Sequence, residues 1–326
     1  MMKQIIFHPA FPKTGTTFLQ NQVFSKLSDI KELEEFNEKR LSKGKYFNFF
    51  KSNFYTKDEQ KIYNYYLNKE NYLKELETKI SNSNNSSWVI SDPGLLDPFG
   101  SPGISNIFLL KEIIDALKKK FDLKIKFLIT IRSQEELIAS YFSYRNYYFK
   151  NKNFSELLSD ELFMNNFKLS NLINHIIRIF DEEFLILPLE LLSNDKKLYF
   201  KKLEEFLGIQ INSDEIENQK KINSNSKMID NKKNYSIREF KESKIYKFLV
   251  YFNSIMKKND LYNKKIRNLK IFQTTKDKIQ NLQKANHVSN FHISESQSKI
   301  IKDYFREDNK ILEKIANIDL KNLNYY

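Results

Sequence analysis

Only six Gly and six Pro occur in 326 residues, and nine of these twelve fall in two short windows, Pro9–Gly15 and Pro93–Gly103. Gly and Pro end helices and strands and permit special backbone conformations. A chain this poor in them should be mostly helix, with unusual backbone confined to two places. Hydrophobic residues make up 40% and aromatics 14%, enough apolar material for a core, so a wholly disordered chain is excluded. The length fits one large or two medium domains. Cys is absent, which excludes a disulfide scaffold, a Cys-ligated zinc site and a cysteine nucleophile. The four His stand apart from one another, and no metal-ligand spacing appears, so no metal is expected.

Periodicity supplies the elements. Gln4–His8 is a short apolar run ending at Pro9 and predicts a buried strand. Thr16–Leu27 carries Phe18, Leu19, Val23, Phe24 and Leu27 at helical spacing. Helical stretches are expected around 57–80, and Ser81–Ser87 reads as a polar loop. Trp88–Ser91, Lys124–Ile131 and Phe184–Leu187 read as further strands. Ser105–Lys120, Gln134–Phe149, residues 165–181 and Lys196–Leu207 read as helices, the last stopped by Gly208. After Ile222 the pattern is helical and basic. Strands alternating with helices predict an α/β fold: a central parallel sheet flanked by helices in three layers, with a helix-rich C-terminal part. One domain over 1–326 is expected, with a basic helical elaboration at 220–290.

The first breaker window, Pro12-Lys13-Thr14-Gly15-Thr16-Thr17, sits between a strand and a helix. A helix N-terminus offers unpaired N–H groups and a positive dipole end, which favour anions. Gly15 allows close backbone approach, the three Thr add hydroxyls, and Lys13 adds a mobile positive charge. The combination suits a phosphate or sulfate. It departs from the nucleotide-triphosphate pattern G-x-x-x-x-G-K-[ST], because the Lys precedes the Gly and the upstream Gly is missing. An ordinary capped helix start is the alternative.

The segment Phe11-Pro12-Lys13-Thr14-Gly15-Thr16-Thr17-Phe18-Leu19-Gln20 resembles the 5′-phosphosulfate loop of sulfotransferases that use 3′-phosphoadenosine 5′-phosphosulfate (PAPS), in the form of bacterial and Golgi-type members. That resemblance implies a P-loop-like fold and a second anchor for the 3′-phosphate, an Arg at a strand end and a Ser eight residues on. Arg132 and Ser140 stand in that relation after Phe127–Ile131. A guanidinium gives phosphate a bidentate, charge-assisted contact; an ion pair with Glu135 or Glu136 is the alternative for Arg132, and a bond to its own helix backbone is the alternative for Ser140. Leu185–Leu192, with acidic Glu190, the helix Phe200–Ile209, the segment Ile222–Asn225 and the tail Tyr304–Leu312 ending in Tyr325-Tyr326 extend the likeness.

The resemblance further implies in-line displacement at sulfur. Lys13 would serve the bridging oxygen. Thr14, Gly15, Thr16 and Thr17 would hold the 5′-phosphate, and 3′,5′-ADP would leave, with a carbohydrate or glycolipid hydroxyl as acceptor. The acceptor needs a base. Members carry a Ser-x-Glu-Gly-Leu-like segment, and here Ile90-Ser91-Asp92-Pro93-Gly94-Leu95 has Pro93 where the Glu is expected. Asp92 is the first candidate, with a turn cap as its alternative. Glu34, Glu35 and His8 are the others.

The net charge of +13 is uneven. Lys220–Lys278 holds 17 Lys and Arg against 5 Asp and Glu, a net of +12. It reads either as a solvated helical surface or as a patch for an anionic partner such as a membrane surface. No nucleic-acid-binding motif accompanies it, so nucleic acid is not expected. No secretory signal and no run near the ~18 apolar residues of a membrane span is visible, which makes the cytoplasm the expected location. Two rival readings remain: a phosphate-loop kinase, and a basic nucleic-acid- or membrane-binding protein with a degenerate nucleotide site.

Overall fold

Four apolar runs and one short polar segment form the sheet. In the computed structural model, β1 (Lys3–Pro9), β2 (Ile30–Glu32), β3 (Ser87–Asp92), β4 (Leu123–Ile131) and β5 (Glu183–Pro188) lie in the order β2-β3-β1-β4-β5, with every neighbouring pair parallel. The residues described are 3–27, 30–32, 70–71, 73–74, 76–82, 87–92, 96, 103–145, 153–212, 216 and 293–326. Parallel strands covered by helices read as continuous hydrophobic runs. Accordingly Phe7, Phe127 and Phe184 stand in register across β1, β4 and β5, their rings stacked 5.5 and 4.9 Å apart.

The flanking helices are α1 (Thr16–Phe18), α2 (Gly103–Lys120), α3 (Gln134–Arg145), α4 (Phe154–Leu158), α5 (Glu161–Asn165), α6 (Leu169–Phe180), α7 (Leu189–Asn194), α8 (Lys196–Leu207) and α9 (Glu295–Ala316). Residues 70–71, 73–74 and 76–81 are also helical. The predicted helix over Thr16–Leu27 is irregular. α1 passes into a π turn at Leu19–Val23 and a 3₁₀ turn at Phe24–Lys26, and π turns are rare in helices generally. α6 buries Leu169, Ile173, Ile176 and Phe180 at helical spacing. α9 starts with a capping box between Ser294 and Gln297, buries Ile301, Phe305 and Leu312, and packs on α6. Its Asp308 accepts from the Leu169 and Ser170 N–H groups, closing the N-terminus of α6.

The strand order positions the site. From the central β1 the chain goes to β2 and β3 on one side, then crosses to β4 and β5 on the other. Connections diverge at the C-terminal end of β1, the kind of crevice where open parallel sheets place ligands. The chain divides into two compact units: Met1–Tyr141 with Asn151–Ile222 and Ile293–Tyr326, and Phe142–Lys150 with Asn223–His292. The first contains the sheet. The predicted basic elaboration at 220–290 falls outside the described residues.

Candidate active site at the C-terminal edge of the sheet

The loop from β1 to α1 holds two residues in left-handed conformation, Lys13 (φ 75°) and Gly15 (φ 88°). Such residues let consecutive N–H groups gather around an anion. Lys13 adopts this backbone at a cost, since a side chain disfavours it. Gly15 has a φ that suits glycine, and an added Cβ would come 2.7 Å from Leu189 Cδ1, so the tip of that side chain would have to turn aside. The loop therefore rests directly on the start of α7. Gly15 O accepts from Phe18 N (2.9 Å) and Leu19 N (3.2 Å), which begins the helix.

The three Thr have different surroundings. Thr14 is fully buried; its hydroxyl donates to Phe11 O at 2.8 Å and contacts Thr130 Oγ1 at 2.9 Å. The sequence expectation that its hydroxyl serves a ligand is corrected here, because that hydroxyl is used inside the fold and only the backbone remains for binding. Thr16 is 4% exposed, and its Oγ1 has no hydrogen-bond partner, a costly state for a buried hydroxyl. Thr17 is half-buried.

Beneath the loop lies His8, 0% exposed. Its Nδ1 is 2.8 Å from Ser91 Oγ, and its Nε2 is 3.2 Å from Thr130 Oγ1. Gln20 Nε2 in turn donates to Ser91 Oγ at 3.0 Å and Ser91 O at 3.2 Å. Burial pushes the imidazole down to about 3. An enclosed, doubly engaged ring cannot reach an acceptor, so His8 is removed from the candidate bases.

Arg132 follows β4 and reaches the loop: its Nη1 donates to Lys13 O at 3.3 Å. Its Nη2 pairs with Glu136 Oε2 at 2.7 Å, so the ion pair weighed as an alternative exists alongside the loop contact. The Lys13 ammonium is held below the usual lysine range, first by desolvation and then by the charge of Arg132; the residue as a whole stays exposed, so solvent screens much of this. Ser140 lies half-buried near the end of the second turn of α3.

Glu190 joins these parts. Its Oε1 accepts from Ser133 N at 2.9 Å, and its Oε2 accepts from Tyr325 Oη at 3.0 Å. Burial pushes this carboxyl up, against the hydrogen bonds and the charge of Arg132. Leu189 backs Gly15 while Glu190 fixes the residue after Arg132, so one corner supports both motifs. Gln134 extends the support by donating to Asn309 Oδ1 at 2.8 Å, and Asn309 Nδ2 donates to Tyr325 O at 3.0 Å.

Asp92 ends β3 in register with Pro9, which puts its backbone on the same sheet edge as the loop; its side chain lies outside the described residues, as do Glu34 and Glu35. Sequence reasoning missed His8, Ser91 and Thr130 as a group. The available signal was one polar residue near the C-terminal end of each of three apolar strands. Among the described residues no group of three or more His, Asp and Glu could hold a metal ion, and no helix is long and apolar enough to cross a membrane.

Fold and site define an α/β protein with a glycine-turned, lysine-bearing loop after the central strand of a parallel sheet. Among solved structures the chain is similar to a sulfotransferase domain from the curacin biosynthetic pathway, at 14% identity and a TM-score of 0.35, over 66% of this chain and 76% of that one; a likeness this distant carries no argument about function. No protein-family model and no curated protein matches the chain.

Proposed function

We propose that this chain is a sulfotransferase that moves a sulfuryl group from PAPS to a hydroxyl acceptor. The observation that carries the reading is the meeting of two motifs 119 residues apart, with Arg132 Nη1 on the carbonyl of Lys13. Each motif alone has an ordinary explanation, whereas their contact at the C-terminal edge of the sheet makes one cationic site. The residues fit a phosphosulfate. The buried Thr16 hydroxyl has an unused hydrogen-bonding capacity, the loop has left-handed backbone at Lys13 and Gly15, and two cations flank it.

When bound, PAPS supplies the activated sulfuryl group and a 3′,5′-ADP leaving group. Lys13 provides the fixed positive charge for the oxygen on which negative charge grows. Thr16, Thr17 and the loop backbone hold the 5′-phosphate. Arg132 and Ser140 would hold the 3′-phosphate, Arg132 giving up its partly exposed pair with Glu136 for a charge-assisted phosphate contact. Asp92 is the first candidate to take the acceptor proton, with Glu34 and Glu35 next. The acceptor, a carbohydrate or glycolipid hydroxyl, follows from the sequence resemblance to bacterial and Golgi-type members.

The test is thermal denaturation of the chain with 3′,5′-ADP, with ATP plus magnesium, and with DNA. A ligand that binds the folded state at about 100 times its Kd stabilises it by about 2.7 kcal/mol. A rise in Tm with 3′,5′-ADP alone is expected. No rise at millimolar 3′,5′-ADP overturns the reading, and a rise only with ATP and magnesium replaces it with a kinase.

A further inference from the structure

The contacts beneath the loop fix where every proton lies. A carbonyl can only accept, so the single hydroxyl proton of Thr14 goes to Phe11 O at 2.8 Å. The proton in the 2.9 Å contact between Thr14 and Thr130 must then belong to Thr130. With that proton spent, Thr130 Oγ1 can only accept from His8, which places an N–H on Nε2. The neutral ring has a bare Nδ1, which accepts the Ser91 hydroxyl at 2.8 Å. Ser91 Oγ in turn accepts from Gln20 Nε2 at 3.0 Å. The bonds run in one direction, Gln20 to Ser91 to His8 to Thr130 to Thr14 to Phe11 O. All five side chains are buried, so bulk water cannot substitute for a missing link.

The two ends of this chain of bonds matter most. Thr14 sits in the loop, between left-handed Lys13 and Gly15. Gln20 sits in the π turn that continues α1. Between them the bonds cross the ends of β3, β1 and β4 through Ser91, His8 and Thr130. We propose that His8 is a positioning residue: locked as the Nε2–H tautomer, it ties three strand ends to both sides of the lysine loop and so sets the loop's binding conformation. Burial makes such a network intolerant of an unpaired member. For cofactor binding, the proposal rests on the sulfotransferase reading; for loop geometry it does not.

The experiment uses the full chain with Thr130→Val, which removes the hydroxyl at nearly constant shape, and Thr130→Ser, which restores it. Hydrogen exchange of the backbone amides from Lys13 to Leu19 is read without ligand. Thr130→Val is expected to speed that exchange about tenfold, the equivalent of one lost buried hydrogen bond, and Thr130→Ser to return it to the wild-type rate. Ser91→Ala is the second variant, should Thr130→Val fail to fold, and it should act on the same amides from the other end. In ¹⁵N-histidine NMR, His8 should show a protonated Nε2 and a bare Nδ1. Unchanged loop exchange in folded variants, loss of global Tm without selective loop exchange, or a proton on Nδ1 each overturns the proposal. Affinity for 3′,5′-ADP is measured beside it. Weakening in Thr130→Val with recovery in Thr130→Ser supports the positioning role in binding. The loop-exchange pattern across the variants, with no 3′,5′-ADP binding by the wild-type chain, overturns the cofactor reading and leaves the positioning role supported.

Discussion

Acid should unfold this protein partly through one histidine. His8 is fully buried, and burial holds its imidazole down to about 3 from the ordinary 6.5. Above pH 6.5 the ring is neutral in both states and adds no pH dependence. Below it the unfolded chain takes up a proton that the folded chain refuses, so stability falls with pH until the folded ring titrates near 3. Each pH unit raises the unfolding constant about tenfold, so near pH 4.5 this site costs about 3 kcal/mol. That is a large share of the roughly 5–15 kcal/mol typical of domains. Glu190 and Asp308 act in the opposite sense. Burial pushes their carboxyls up, so the folded state gains protons first and they add stability as pH falls through their folded values. The wild-type slope is therefore a difference, and His8→Gln, which carries no titrating group, isolates the histidine. Urea unfolding followed by circular dichroism, at about pH 7, 5.5 and 4.5, should give a gap between wild type and His8→Gln that narrows by about 3 kcal/mol toward acid, or reverses. A constant gap across that range would refute the reasoning, because the ring would then titrate alike in both states.

Four further outcomes follow, those for Gly15 and Tyr325 from the geometry and those for Lys13 and Arg132 from the proposed function. Gly15→Ala should destabilise by about 2 kcal/mol in chemical denaturation, from a left-handed alanine and a Cβ that Leu189 must yield to; an unchanged midpoint would contradict the close packing of loop and α7. Lys13→Ala should abolish sulfuryl transfer in a mass-spectrometric assay while leaving the circular dichroism spectrum intact, and Arg132→Ala should weaken 3′,5′-ADP binding by about 2–4 kcal/mol in calorimetry. Tyr325→Phe should lower stability by about 1 kcal/mol, seen as a reduced Tm, since it removes the hydroxyl that Glu190 Oε2 accepts from.

How much of this was legible in the sequence depends on whether a feature is local. β1, β3, β4 and β5 are apolar runs, and each was readable to within one or two residues at either end. β2 was not: Ile30-Lys31-Glu32 has no hydrophobic run, and it is a strand because it pairs with Ser87–Val89. The short helices α4 and α5 were missed because five residues carry too little period, although Asn153 and Asp160 cap them. In the site, Lys13–Thr17 and Arg132 were legible as local motifs at the ends of strands. The Thr14 hydroxyl was misassigned because sequence order does not say which way a hydroxyl points. His8 was offered as a base because its partners, Ser91 and Thr130, lie 83 and 122 residues away. The Glu190–Tyr325 link, over 135 residues, was invisible for the same reason.

The parts that were not legible are the ones that hold the legible ones in place. Left alone, a lysine at φ 75° beside an arginine is an unfavourable arrangement: the backbone is strained by about 1–2 kcal/mol, and each cation disfavours the other. Three separate supports hold it in place. Thr14 ties the loop down to the sheet, Leu189 closes behind Gly15, and Glu190 fixes the backbone just after Arg132. Thr14 and Leu189 add no charge to the two cations, whereas Glu190 beside Arg132 and the Glu136 ion pair offset part of the guanidinium charge. An anion bound there reverses the balance, since it favours the charged lysine that Arg132 now disfavours. Long-range contacts thus hold Lys13 beside Arg132 at a standing electrostatic cost that a bound anion would lower, and under the proposed function charges fixed in this way would favour an anionic ligand without reorganising to meet it.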